Sequence, residues 1–284
     1  MTGRACLAKQ RAFVYCSTTE EGATESNPHG SHLPRSDMRD IGTFLLEEGI
    51  GFAAAQNLAS TGRYHLLVGA RSQEKADAAV QQLPLLSSDL TPLFIDVSSD
   101  ASIAAAAKTV SAKFGSLDIL INNAGISTSL DHANLGLRKN FRAVFDVNVF
   151  GVAVITDEFL PLLRSSTYHD RRILNVTTGL GHIGITLSPT SEFSAKSFAL
   201  PIYRSSKSAL NMITAFDAVT LAEEGISVVL AAPGYMGTNF TGGNGVKEVS
   251  QAAVQIVRAA TEGDPREYFG TVVDEEGVLE EFGW

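Results

Sequence analysis

From Gly49 to Val273, short unbroken apolar runs alternate with longer stretches of helical periodicity. This alternation limits the fold more than any other feature. The runs are His65–Gly69, Leu93–Val97, Leu117–Asn122, Arg172–Thr177, Ile226–Ala232 and Tyr268–Val273. They do not switch between apolar and polar at every step, so both faces of each strand are expected to be buried. Helices are predicted over Phe52–Ser60, Ser72–Leu83, Asp100–Phe114, Asn140–Leu163, Ile202–Glu224 and Glu248–Ala260. Ser72 and Asp100 are the expected caps of the second and third. Such an order describes an α/β chain with a doubly wound parallel sheet and helices on both sides, in a single domain. Ligands of such sheets bind outside the carboxyl ends of the strands.

Composition agrees and removes several classes of function. Apolar residues make up 44% of the 284, enough for a core. The net charge of −9 offers no basic surface to a phosphate backbone, so nucleic acid is not an expected partner. No run of apolar residues is long enough to span a membrane. Arg4, Lys9 and Arg11 are not followed by the apolar run of a secretory signal. No cysteine follows Cys16, so no disulfide framework is expected, and no metal site either. A cytoplasmic protein is the resulting expectation.

Residues 1–48 differ from the rest. Cys16–Arg39 is dominated by Ser, Thr, Glu, Gly, Pro and His, and reads as loop or tail. Ala12–Cys16 has the composition of one short strand, and Thr43–Glu48 contains helix formers. The chain divides into an atypical segment, 1–48, expected to be poorly ordered, and a domain, 49–284.

The residues of chemical interest follow the strands in a fixed order. They are Gly49-Ile50-Gly51, Asn122-Asn123-Ala124-Gly125, Asn148, Thr177-Thr178, Tyr203-Arg-Ser-Ser-Lys207 and Pro233-Gly234 through Thr238. Tyr203 and Lys207 stand at i and i+4 and share one helix face. In a chain of this composition such a pair arises by chance roughly 0.2 times. A phenol is a poor acid near neutrality, and a nearby ammonium favours the phenolate and lowers its pKa. Asn148 is a poor mid-helix residue, and Gly151 three positions later suggests a local irregularity. After the run His65–Gly69 the chain reads Gly69-Ala70-Arg71-Ser72, with no acid before Glu74. An acid there would bind a ribose 2′-hydroxyl, whereas Arg71 suits a 2′-phosphate. NADP(H) is therefore favoured over NAD.

Taken together, these motifs resemble the short-chain dehydrogenase/reductase family, over Gly49 to about Thr238 and extending toward Trp284. The resemblance implies a Rossmann-type sheet and an NADP-dependent, carbonyl-reductase-like oxidoreductase. It makes Tyr203 the general acid/base and gives Lys207 a hydrogen bond to the nicotinamide ribose. Asn148 would hold a water in a proton relay, and Thr178 would orient the substrate where the family usually has serine. The cofactor would meet Gly49, Ile50, Gly51, Arg71, Asp96, Val97, Asn123, Ala124, Gly125, Tyr203, Lys207, Pro233, Gly234 and Thr238. Asp96 would meet adenine, and Thr238 the carboxamide. The resemblance also implies pairing of two copies through the helices that carry Asn148 and Tyr203.

The resemblance breaks before Gly49. The family's first strand ends in Thr-Gly, whose places are taken here by Phe44 and Leu45. Glu47 and Glu48 stand where the loop should pass a pyrophosphate, and like charges there repel. Either Ala12–Cys16 is a distant first strand, or residues 1–48 are foreign to the fold, and the abrupt change favours the second. The first strand and half of the phosphate loop are thus expected to be missing or replaced.

A loop of 24 residues separates Thr178 from Tyr203. Its Ile183, Ile185, Leu187, Phe193, Phe198 and Leu200 are expected to wall a substrate pocket, joined by Tyr235, Met236 and Phe240. His182 reads as a loop residue rather than a second base. The expected reaction interconverts a carbonyl and a secondary alcohol on a small to medium apolar substrate. The alternative is a non-catalytic nucleotide-binding or regulatory protein with an impaired cofactor site.

Overall fold

The computed structural model describes residues 12–15, 39–44, 49–84, 89–127, 136–237, 245, 247–274 and 279–281. The strands are β1 (Ala12–Tyr15), β2 (Arg39–Phe44), β3 (Tyr64–Ala70), β4 (Leu90–Phe94), β5 (Leu117–Asn122), β6 (Arg171–Val176), β7 (Ile226–Ala231), β8 (Thr271–Val273) and β9 (Leu279–Glu281). They form one sheet in the order β4-β3-β1-β2-β5-β6-β7-β8-β9. Every pairing is parallel except that of β8 with β9. The helices are α1 (Ile50–Ser60), α2 (Gln73–Gln82), α3 (Asp100–Phe114), α4 (Leu137–Phe145), α5 (Val152–Ser165), α6 (Ile183–Leu187), α7 (Pro201–Leu221) and α8 (Val249–Thr261). All residues of β3 and β5 are buried, the polar His65, Asp118 and Asn122 with the apolar ones.

The first-strand position is replaced rather than vacant. β2 runs between β3 and β5, with Ile41 opposite Ile119, Gly42 opposite Leu120, and Phe44 opposite Gly69. β1 enters the same slot, with Tyr15 opposite Val68 and Val14 opposite Leu120. Thr43 and Phe44 therefore end a strand and do not begin a helix. The reason is non-local: two facing strand edges present rows of N–H and C=O groups that must find partners.

Other local differences have simple causes. Ser99, not Asp100, caps α3, its hydroxyl accepting from the Ser102 amide at 3.3 Å. β4 covers residues 90–94 rather than 93–97, because the bonded register with β3 ends at Ala70 opposite Phe94. β8 is shorter than expected, since Pro265–Tyr268 closes into a 3₁₀ turn capped by the Asp264 carboxylate. Helix packing relies on small residues. α1 buries Gly51, Ala54, Ala55 and Ala59, and α8 buries Ala252, Ala253, Ala259 and Ala260, which lets the two helices approach closely.

The long helix expected over Asn140–Leu163 is divided. A turn of π-helix, Asp146–Gly151, separates α4 from α5. The irregularity expected around Asn148 and Gly151 falls within it. Gly151 is fixed by sterics, since a Cβ there would lie 2.2 Å from the Val97 carbonyl oxygen. Only a glycine allows this turn to reach the loop after β4.

Candidate active site

The carboxyl end of β6 is pinned to the first half of α7. Lys207 Nζ donates to the Val176 carbonyl at 2.8 Å. Tyr203 lies one turn earlier on α7, 8% exposed, with Lys207 at 3%. The ammonium stands 5.9 Å from the Tyr203 ring centroid. Asn148 is fully buried and ties three elements together. Its Nδ2 donates to Ile126 O at 2.9 Å and to Ser206 Oγ at 3.0 Å, and its Oδ1 accepts from Ile126 N at 2.8 Å. Ser206 Oγ in turn donates to Tyr203 O at 2.7 Å. A Cβ on Gly125 would lie 3.6 Å from both Asn148 Oδ1 and Lys207 Nζ. Gly125, Asn148, Tyr203 and Lys207, named separately from the sequence, thus converge.

The electrostatics correct one expectation. Burial lowers the Lys207 ammonium to about 8 and pushes the Tyr203 phenol above its ordinary value. The lowering of the phenol inferred from spacing is not seen, because desolvation penalises the charged form of both groups. A stability prediction follows. The folded chain releases the Lys207 proton near pH 8, whereas the unfolded chain holds it to about 10.5. The unfolded state therefore binds more protons between these values, and this group's contribution to stability rises with pH there. Below pH 8 the buried charge costs on the order of 3 kcal/mol, offset by about 1 from the bond to Val176. Lys207→Met is expected to be more stable than wild type at about pH 7 by roughly 2 kcal/mol. The advantage should shrink toward about pH 10, as read from urea midpoints at both values.

Thr177 and Thr178 have separate environments. Thr177 is buried and donates to Asn211 Oδ1 at 2.6 Å. Thr178 is partly exposed, and its oxygen accepts from the Leu180 amide at 3.3 Å, leaving its hydroxyl proton for another partner. His182 caps α6, Nδ1 accepting from the Ile185 amide at 3.3 Å. The loop it opens carries Phe193 and Phe198, whose rings lie 5.9 Å apart, with Tyr235 5.5 Å from Phe198. Met236 faces inward, 1% exposed, and Phe240 lies outside the described residues.

The cofactor residues named from the sequence lie along the carboxyl edge. Gly49 takes φ 92° and precedes α1, whose first turn has no side-chain cap. Among the described residues no side chain caps the amides of Ile50 and Gly51, a start that suits an anion. Arg71 is exposed directly after β3, beside the start of α2. Asp96 follows β4 and accepts from Ser98 N at 2.9 Å and Ser98 Oγ at 2.7 Å. Val97 is buried, and its carbonyl meets the π turn. Asn123 and Ala124 follow β5; Pro233 and Gly234 follow β7, Gly234 at φ 94°. Thr238 and residues 45–48 lie outside the described residues. Among the described residues the donors present suit a dinucleotide: a capless helix start, a cation after β3, and an open approach beside Gly125. No cluster of His, Cys, Asp or Glu among them could hold a metal ion. Among them, too, no helix is long and apolar enough to cross a membrane.

Sequence reasoning missed Ser206, which joins Asn148 to α7, and Arg204, which holds the loop before α7. Both stand inside the Tyr203–Lys207 interval, but their partners are 58 and up to 18 residues away. No local pattern marks them.

Comparison with known proteins defines the class. The family model described as short chain dehydrogenase matches residues 46–248. The chain belongs to the short-chain dehydrogenase/reductase family of oxidoreductases. It is 66% identical over 238 residues to "Short-chain dehydrogenase anuI" of Penicillium roqueforti (strain FM164), covering 84% of this chain and 94% of that one. It is 36% identical over 253 residues to "Short-chain dehydrogenase/reductase eupG" of Phoma sp, covering 83% and 89%. Among solved structures, the NADPH-bound carbonyl reductase from chicken fatty liver shares the fold, with a TM-score of 0.70 at 22% identity over 84% of this chain and 93% of that one.

Proposed function

We propose that the protein uses NADP(H) to interconvert a carbonyl and a secondary alcohol on an apolar substrate. The observation that carries this reading is the buried convergence of Tyr203, Lys207, Asn148 and Gly125 at the carboxyl ends of β5 and β6. The solved carbonyl reductase of the same fold binds NADPH. Bound NADPH supplies a hydride from its nicotinamide ring. Tyr203 Oη gives the carbonyl oxygen its proton, and Thr178 Oγ1 donates a second hydrogen bond to that oxygen. Lys207 holds the cofactor ribose and balances charge on the phenolate that remains. Asn148 fixes the loop at Ile126 and orients α7 through Ser206. Gly49, Ile50 and Gly51 take the pyrophosphate. Arg71 takes the 2′-phosphate, Asp96 and Val97 border the adenine, and Asn123, Ala124, Gly125, Pro233, Gly234 and Thr238 line the nicotinamide end.

The test is NADPH oxidation against a panel of apolar ketones and aldehydes. NADPH binding without turnover of any of them would reject the reaction. Cofactor choice is tested separately with Arg71→Ala. Loss of one charge-assisted contact to phosphate is expected to lower kcat/KM for NADPH roughly 10–100-fold and leave that for NADH within about threefold. Equal losses with both cofactors would show that Arg71 does not read the 2′-phosphate. Met212, Phe216 and Val219 are exposed along one face of α7. This stripe supports a homo-oligomer that pairs through α7, readable by sedimentation.

A further inference from the structure

We propose that Arg204 is a positioning residue that holds an aromatic wall in place, and that this wall makes the site select aromatic over small aliphatic carbonyl compounds. The inference rests on the carbonyl-reducing activity proposed above. Arg204 adjoins Tyr203 and is only 6% exposed. Its NH1 donates to Phe193 O at 2.8 Å and to Phe198 O at 3.0 Å, and its NH2 to Thr186 Oγ1 at 2.8 Å. All three acceptors belong to the long loop between Thr178 and Tyr203. Two of them are the backbone of the residues whose rings form the wall. The Phe193–Phe198–Tyr235 rings meet edge to face, joining the loop after β6 to the loop after β7. Edge-to-face packing of this kind offers an aromatic guest both a ring face and ring edges.

Three observations separate this arrangement from ordinary packing. First, none of the three acceptors is a carboxylate, and Nε is buried with no partner among the described residues. A buried cation without a counter-ion is costly, and a neutral side chain would tie a loop with less penalty. Second, an open cleft of about 640 Å³ lies between the loop and the start of α7, lined by Ile183, Thr186, Leu187, Phe198, Leu200 and Arg204. The guanidinium borders that cleft and ties the loop to α7 beside it. Third, Leu200 has φ 134°, a conformation that side chains rarely adopt, at the point where the loop returns to α7. Such a residue persists only where its surroundings hold it. The Arg204 amide bonds to its carbonyl at 3.0 Å.

The experiment compares wild type with Arg204→Met, using NADPH with acetylnaphthalene and with propanal. The KM for acetylnaphthalene is expected to rise roughly tenfold or more, while kcat changes less than about threefold. The KM for propanal should move less than about threefold, because a small aldehyde offers the rings little surface to pack against. Arg204→Lys keeps the charge and loses the fork, so it should behave as the methionine variant. Amide exchange in the cofactor-free protein reads the clamp without turnover. The Ala195 and Phe198 amides, bonded to Thr186 O and Ser194 O, should exchange at least about tenfold faster in Arg204→Met. Unchanged exchange overturns the clamp, and equal loss on both substrates overturns the selectivity. No turnover by wild type, with faster exchange in the variant, rejects the reaction and upholds the clamp. Should Arg204→Met fail to fold, Thr186→Val removes one acceptor and is expected to raise the acetylnaphthalene KM by roughly threefold; no change there overturns the proposal.

Discussion

Tyr203→Phe is expected to lower kcat for carbonyl reduction by roughly a thousandfold, with the NADPH dissociation constant within about threefold of wild type. The substitution removes one oxygen and keeps the ring. Tyr203 is a buried residue of α7, and the phenylalanine ring fills the same volume. The whole loss can then be assigned to the proton that Oη would deliver. Positioned acids and bases contribute roughly a hundredfold to ten-thousandfold. A residual rate above background would come from the donor at Thr178 and from alignment of the carbonyl. Lys207→Met should behave differently, weakening cofactor binding as well as kcat, because the ammonium is proposed to reach the ribose. Stopped-flow binding and steady-state rates on both variants separate the roles. Equal turnover by wild type and Tyr203→Phe would remove Tyr203 from the chemistry.

What the sequence revealed of this site is what lies close together along the chain. Tyr203 and Lys207 are one helical turn apart, so their shared face follows from spacing alone. The same is true of Gly49-Ile50-Gly51, of Asn123-Ala124-Gly125, and of the Ser72 cap on α2. Strands buried on both faces were legible because their apolar runs are unbroken. The place of β2 was not legible: Arg39–Phe44 contains Asp40 and Gly42, both weak strand formers, and it joins the sheet because β3 and β5 leave a slot. The need for glycine at 151 depends on the Val97 carbonyl, 54 residues earlier. The direction of the Tyr203 shift depends on burial, which spacing does not report. Arg204 reads as a helix-surface cation until the loop before α7 folds back over it.

The largest effect on stability is expected from a residue that takes no part in the chemistry. Arg172 begins the buried part of β6 and is 0% exposed. Its guanidinium holds Asp170 with two bonds, at 2.5 and 2.9 Å, and donates to the carbonyls of Ala259, Glu262 and Gly263 at 2.9, 2.7 and 2.8 Å. The Tyr268 ring lies 5.0 Å from it. One side chain thus satisfies the unpaired carbonyls at the end of α8 and fixes that helix to the sheet. Arg172→Met removes the cation and leaves a largely buried carboxylate and the Ala259 and Gly263 carbonyls without this donor, while Glu262 O keeps the Tyr268 hydroxyl. Breaking a buried pair in this way costs about 3–5 kcal/mol. Exposed pairs of similar geometry behave otherwise. Arg164 and Glu224 make two bonds of 2.6 and 2.7 Å, but both side chains reach solvent. Water already solvates their charges, so Glu224→Gln should move the urea midpoint far less than Arg172→Met, and less still at high salt. Urea midpoints at low and high sodium chloride distinguish the two. The Arg172→Met loss should persist at both, because burial keeps salt away from the pair. Asp170→Leu added to Arg172→Met should recover part of the loss, since it removes the stranded carboxylate. A loss below about 1 kcal/mol for Arg172→Met would show that water reaches the end of α8 and replaces the guanidinium.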